Sequence, residues 1–168
     1  MPSIHPHDKF LALVQHPVKF RLFLMAKLPA AYFSGVRVKA ITAQQSVVTV
    51  PYKWFSQNPF KSTYFACLAM AAEMSTGLLA MMHTYHSNPP VSMLVVELQA
   101  NYYKKATAKT FFTCEDGSAI AAAIQQAVSS GQGVTIKVKA TGTNPGGEPV
   151  ADFFITWSFK AKLPTTNH

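Results

Sequence analysis

One of the chain's seven carboxylates, Glu73, stands in the middle of a long apolar run, Tyr64 to Met82, YFACLAMAAEMSTGLLAMM. Burial disfavours the charged form of an acid, which raises its pKa and makes the ionised group a stronger base. A carboxylate so placed is a candidate for acid–base chemistry. On a helix, the positions three, four and seven away are Ala66, Ala69, Met70, Thr76, Gly77 and Ala80, mostly small. The opposite side carries Tyr64, Leu68, Leu78 and Met82, mostly large. Another backbone or a ligand can therefore approach the acid closely. A carboxylate that caps a neighbouring loop or pairs with Lys or Arg fits the same pattern, because buried ion pairs also perturb pKa. Other candidates are weaker. His83 and His86 could ligate a metal with an acid from elsewhere, but polar or cationic groups at a helix C-terminus have the same spacing. Cys67 and Cys114 lack metal-ligand spacing and read as free thiols, with nothing nearby to activate them. No metal and no cofactor is expected.

The elements that must hold Glu73 come from a chain of 168 residues and 18.4 kDa, enough for a single domain with a sizeable core. Apolar residues make up 49% and charged residues 13%, which excludes disorder and favours a well-buried fold. The start, MPSIHPHDKF, lacks a basic segment leading into an apolar core, and two distant cysteines make no disulfide scaffold. A reducing, cytoplasmic setting is expected. The apolar run would reach roughly 28 Å as a helix, close to membrane thickness. Three features argue against a span. Glu73 is at its centre, its neighbours read as strands, and no Lys/Arg cluster flanks one side. It reads instead as a helix buried in a soluble fold.

Residues 1–34 have helical patterning, with apolar Phe10, Leu11, Leu13 and Val14, then Phe20 and Leu22 to Met25, interrupted by Pro17 and Pro29. After Gly35 the period switches to two. Val36, Val38 and Ala40 alternate with basic residues; Ser46, Val48 and Val50 follow beyond AITAQQS, as in a hairpin. The loop KWFSQNPFKS leads into the central helix, about Ser62 to His83, which Asn88, Pro89 and Pro90 stop. Four more strands follow. In the first, Leu94, Val96, Leu98, Ala100 and Tyr102 are predicted on one face, with Glu97, Gln99 and Asn101 on the other. Next comes Lys109 to Cys114, then EDGSAIAAAIQQAVSSG, a short surface helix with Ser118 as N-cap and Gly131 as its stop. Two alternating strands, joined across GTNPGGEP, complete the pattern. Short turns imply an antiparallel sheet, and one apolar helix with one half-apolar sheet packs as sheet around helix.

This order and the segment NPFKSTYFACLAMAAEMSTG, Asn58 to Gly77, resemble the hotdog fold in its thioesterase-like branch of the phenylacetic-acid type. VPYKWFSQNPF, CEDGSAIAAAI and FFITWSFK are similar to a poorly characterised bacterial group of thioesterase-like proteins. The resemblance covers about Pro29 to Lys162. It implies an α+β hotdog domain over 1–168, with an N-terminal helical segment (1–34) and a core (35–162) in which an antiparallel six-stranded sheet wraps a long helix. It also implies that Asn58 matches the family's loop Asn and Glu73 its helix acid. Tyr64, Phe65 and Ala66 stand where the family has His-Gly-Gly, a departure that narrows the approach to the helix start. The missing His also argues against the dehydratase branch.

The implied activity is acyl-CoA thioester hydrolysis. Glu73 would be the catalytic carboxylate, with Asn58 orienting it or the water. Backbone N–H groups near Tyr64, Phe65 and Ala66 would bind the oxyanion. The implied assembly is a homodimer or homotetramer, paired through the strand near Val91 to Tyr103, with the site between subunits. The alternative is a non-catalytic hotdog protein that holds a fatty acyl or other apolar ligand, which the Tyr64-Phe65-Ala66 departure favours. No membrane partner is expected. The formal charge of +8 comes from bases such as Arg37, Lys39, Lys104, Lys105, Lys137, Lys139, Lys160 and Lys162. Most alternate with core residues and read as solvated strand faces; some could hold coenzyme A phosphates. They form no nucleic-acid motif, so nucleic acid is the least favoured partner.

Overall fold

The computed structural model describes residues 6–162. Three helices come first: α1 (Pro6–Gln15), α2 (Pro17–Lys27) and α3 (Pro29–Phe33). Pro17 and Pro29 each occupy the first turn of a helix, where the missing N–H costs nothing, so the prolines begin helices rather than merely breaking one. A hairpin of β1 (Arg37–Ile41) and β2 (Ser46–Val50) follows, then a single 3₁₀ turn at Trp54–Ser56 and the long helix α4 (Phe65–Thr84). The remainder is β3 (Val91–Tyr102), β4 (Thr110–Cys114), α5 (Gly117–Ser130), β5 (Val134–Thr143) and β6 (Pro149–Ala161). All pairings are antiparallel, and the six strands lie in the order β1-β2-β4-β5-β6-β3. Both the α+β class and the sheet around a helix agree with the sequence reading.

α4 is long and apolar enough to cross a membrane by length and composition, but its most apolar window is mostly buried within the fold. It is the core helix. Its buried small residues, Ala71, Ala72, Ser75, Gly77 and Ala80, let the sheet come close. From the sheet, Val48, Phe112, Phe153, Ile155 and Phe159 are fully enclosed around it. Trp157 closes the layer by donating its indole N–H to Thr76 Oγ1 at 2.9 Å. α1 packs on α4 and β1, while α5 covers α4, β5 and β6.

Four details differ from the sequence reading. α4 begins at Phe65 rather than Ser62, because Thr63 donates its N–H to Ala106 O at 2.8 Å and bridges Gln57 in extended backbone. α5 is capped at Asp116 rather than Ser118 and buries Ile120, Ala123, Ile124 and Ala127, so it is a core-covering helix rather than a surface insertion. In β1 a register shift between Val38 and Ala40 exposes Ala40 and buries Ile41 instead. β3 carries a bulge at Val96: Val95 pairs with Trp157, but Glu97 pairs with Thr156. The predicted single apolar face therefore changes sides. Val91, Met93 and Val95 share the side of buried β6 residues before the bulge, and Leu98, Ala100 and Tyr102 do so after it, although Leu98 and Tyr102 stay exposed near the strand's open end. Leu94 is left outside at 65% exposure.

Gly117 shows how closely α5 docks on the β1–β2 turn. Its N–H donates to Gln44 O at 3.1 Å, and a Cβ there would collide with the backbone of Ala43 and Gln44. Gly117→Ala should destabilise the protein by about 1–3 kcal/mol, as overpacking against unyielding backbone does. Gly133→Ala, where a Cβ meets nothing within 4 Å, should leave the melting temperature nearly unchanged. Thermal unfolding followed by circular dichroism compares the two.

Candidate functional site

Two hollows carry the residues singled out from the sequence, and they are separate. The larger, about 740 Å³, opens at the start of α4 between the loop at 57–64 and the segment that leaves β3, and it includes Asn58, Tyr64 and Phe65. The smaller, about 210 Å³, lies between α3 and the third turn of α4 and includes Glu73. Glu73 lies eight residue steps along the helix from Phe65, roughly 12 Å along the axis.

Asn58 builds the wall of the larger cleft. Its Oδ1 accepts from Phe60 N at 3.0 Å, Ser62 N at 3.2 Å and Ser62 Oγ at 3.2 Å. Its Nδ2 donates to Thr63 O at 3.5 Å. These bonds hold a tight turn in which Lys61 takes a left-handed conformation, φ 55°. The amide is committed to its own loop, so the expectation that Asn58 assists Glu73 is not met within one chain.

Beyond that turn, Tyr64 precedes the helix and its side chain makes no cap. The N–H groups of Phe65 and Ala66 open the helix with no intrahelical acceptor, so they point positive ends of peptide dipoles outward. The exposed rings of Tyr64 and Phe65 meet edge to face with centroids 4.9 Å apart. Ala66, next along the helix, is half-buried. On the far wall stand Tyr102, Tyr103, Lys104 and Lys105. The cleft is therefore aromatic, with a cationic rim; Lys105 Nζ also donates to Phe60 O at 3.3 Å.

Glu73 is half-buried among Met70, Met74 and the Lys27–Ala31 corner. Among the described residues its carboxylate has neither a hydrogen-bond donor nor an ion-pair partner. A capped loop or an internal salt bridge is thus not what holds it. Gly77, one turn on, leaves room for the side chain: a Cβ there would stand 3.3 Å from Glu73 Oε1 and 3.3 Å from the Trp157 ring. Burial raises the Glu73 pKa above the ordinary carboxylate value.

The remaining candidates take structural places. His83 lies against His7, ring centroids 5.5 Å apart, and burial, with His7 beside it, lowers its pKa. His86 packs edge-on to Tyr85 at 4.3 Å. Among the described residues no three His, Cys, Asp or Glu side chains converge as a metal site would need. Both cysteines are free and buried, and burial pushes the Cys114 thiol up to about 12. Cys67 donates to Ser34 Oγ at 3.7 Å.

A cluster that the sequence reading missed sits on the outer sheet face. The buried carboxylate of Asp152 accepts from Tyr103 Oη at 2.9 Å and pairs with Lys139 Nζ at 2.7 Å. Burial pulls its pKa up, but bonds from Lys139, Tyr103 and Thr141 outweigh that and hold it below the ordinary value. The alternation of β5 and β6 could have placed Lys139 and Asp152 on one face, but not in adjacent register.

A long core helix cupped by six antiparallel strands defines a hotdog fold. The chain matches the DUF4442 family, a domain of unknown function, over residues 19–159, and belongs to it. Solved structures share the architecture. A Pseudomonas aeruginosa protein of unknown function, described as a probable thioesterase, superposes with TM-score 0.73 at 18% identity, over 87% of this chain and 97% of that one. A protein of unknown function from Chlorobaculum tepidum gives TM-score 0.75 at 17% identity, over 96% and 100%. A thioesterase from Haemophilus influenzae gives 0.61 at 10% identity, over 90% and 94%. None of the curated proteins matches this chain at a significant level.

The unpartnered acid has a consequence for stability. A folded-state pKa raised by burial means that stability is fully present below the unfolded value, about 4.3, and is lost as pH rises through the folded value. Glu73→Gln should therefore raise the melting temperature at pH 8 and leave it nearly unchanged at pH 4, read by calorimetry at both values.

Proposed function

We propose that the protein hydrolyses an acyl thioester, with coenzyme A as carrier, at a site completed between two copies. The observation that carries this reading is the Glu73 carboxylate, half-buried in the core helix without a polar partner among the described residues. Fold neighbours described as thioesterases support the reaction class. In the reaction, water oxygen attacks the thioester carbonyl carbon while Glu73 accepts the water proton. The oxyanion takes hydrogen bonds from N–H groups at the start of α4, at Phe65 and Ala66, where the helix dipole adds a favourable field. Collapse breaks the C–S bond, and the proton passes to the departing thiolate. Lys104 and Lys105, on the rim of the aromatic cleft, suit the carrier's phosphates. Asn58 is a positioning residue that keeps the loop before the helix in shape. Two buried free thiols suit a cytoplasmic setting.

The separation of Glu73 from the helix start is the reason to invoke a second copy. β3 is an edge strand whose apolar Leu94, Val96 and Leu98 are exposed, an arrangement that invites pairing with another strand. In the proposed homodimer the β3 strands pair about a two-fold axis, so each cleft can meet the acid of the other chain. A Leu94→Lys, Val96→Lys double variant should sediment as a folded monomer in analytical ultracentrifugation and lose turnover with the dimer.

A panel of acyl-CoA esters of increasing chain length, with thiol release as the readout, tests the chemistry. Glu73→Gln should lower kcat by about 10²–10⁴ with KM little changed, as removal of a general base does. The acidic limb of the wild-type pH profile should lie above the ordinary glutamate range. Turnover unaffected by Glu73→Gln would remove the carboxylate from the mechanism.

A second reading is favoured by the Tyr64 and Phe65 rings, which stand at the helix start where a substrate carbonyl would have to come close. In it the same cleft holds a fatty acyl or other apolar ligand without turnover. Saturable binding of acyl-CoA, with no thiol released by the wild type, would select it.

A further inference from the structure

The positive charge is not spread evenly. Residues 9–72 contain eight Lys and Arg and no Asp or Glu, while the other seven basic residues balance the seven acids. The whole formal charge of +8 thus belongs to one continuous part of the chain. The same part supplies most of the exposed large apolar side chains, and those on α2 form a stripe. Phe20 and Leu24 turn inward, whereas Val18, Leu22 and Met25, spaced four and three apart, turn outward at 60%, 55% and 45% exposure. Lys19 and Arg21 lie roughly a quarter turn to either side of that stripe.

From its Arg21 shoulder a chain of ring contacts runs on across the surface. Arg21 lies over the Tyr32 ring at 5.7 Å, Tyr32 meets Phe33 at 5.3 Å, and Phe33 meets Phe55 at 6.0 Å. Phe55 in turn packs edge to face on Trp54 at 4.8 Å, beside Lys53. Trp54 is 75% exposed. α2 lines a hollow with β1, at the opposite end of the strand order from β3.

We propose that this face, α2 with Phe33, Phe55 and Trp54, docks on an anionic membrane surface. An outward apolar stripe with basic shoulders is the form of an interfacial helix, and a projecting Trp suits the headgroup level. The cations are drawn to the negative leaflet. A second copy is a poorer occupant, because a two-fold contact would bring this like-charged region against itself. The surface lies flat on the bilayer and spans nothing, which departs from the expectation of no membrane partner. It holds whether or not the thioesterase reading does.

The full chain mixed with vesicles tests this. Phosphatidylcholine alone is compared with phosphatidylcholine containing phosphatidylglycerol, by co-sedimentation and tryptophan emission. Trp157 is 3% exposed, so a change in emission reports Trp54. Expected are co-sedimentation and a blue shift with the anionic vesicles only, both weakening as salt rises. Lys19→Gln with Lys53→Gln should cut partitioning at least tenfold, about fivefold for each lysine. Leu22→Ser with Phe55→Ser should abolish the blue shift, and Lys137→Gln with Lys160→Gln on the sheet's outer face should change nothing. No binding to anionic vesicles at low salt overturns the proposal, as does equal binding after either α2-face double substitution. A blue shift that grows with protein concentration without vesicles assigns the face to a second copy. Capture of an oligonucleotide but no vesicle assigns it to nucleic acid. Either result overturns the proposal.

Discussion

Burying α4 is the constraint on which the rest of the structure depends. A helix apolar on nearly every side cannot rest on one sheet face and leave the other in water. Here the sheet covers one side, and α1, α3 and α5 take positions on others. Small residues on the helix let the covering layers approach, and the polar atoms carried in with them find partners. Thr76 illustrates both halves: it accepts the Trp157 N–H, and its hydroxyl donates to Glu73 O one turn back. An indole N–H buried without such an acceptor would cost about 1–3 kcal/mol.

Against that background Glu73 is the exception. Each of the other six acids has a hydrogen-bonding or cationic partner, whereas among the described residues the Glu73 carboxylate, beside Met70, Met74 and the Lys27–Ala31 corner, has none. A fold selected for stability alone would gain by replacing it, which is why the proposed stability increase and activity loss belong to one substitution. Its distance from the α4 start also turns oligomeric state into a catalytic question. One chain carries an open helix start and an acid on the same helix, but not next to each other.

The two sheet edges divide the outer surface into different tasks. β3 carries the bulge, exposed apolar side chains and unpaired backbone of a strand that lacks a neighbour. β1 is blunted by the N-terminal helices, so the apolar residues outside it sit on α2 rather than on a strand edge. The outer sheet face between them is polar, with Lys137 near Glu97 and Lys139 on Asp152. Charge, apolar exposure and pairing capacity are thus separated around the molecule.

Local pattern was enough for the element order, the core helix, the hairpins and the placement of Glu73 inside the apolar helix, because period and turn chemistry are properties of neighbouring residues. It was not enough for the β3 bulge. Alternation from Leu94 to Tyr102 reads as one face, and only pairing with β6 shows that Val96 is the extra residue and that the faces exchange there. The start of α4 was likewise decided at a distance, by the bonds that Thr63 makes to Ala106. The site divides in the same way. The acid and its small-residue surroundings were legible, while the closed hydrogen-bond set of Asn58, the lack of a polar partner for Glu73 among the described residues and the gap between the two belong to the tertiary structure. Side-chain type and spacing determine what a residue can do; which groups meet it depends on long-range packing, whose partners lie tens of residues away in the chain.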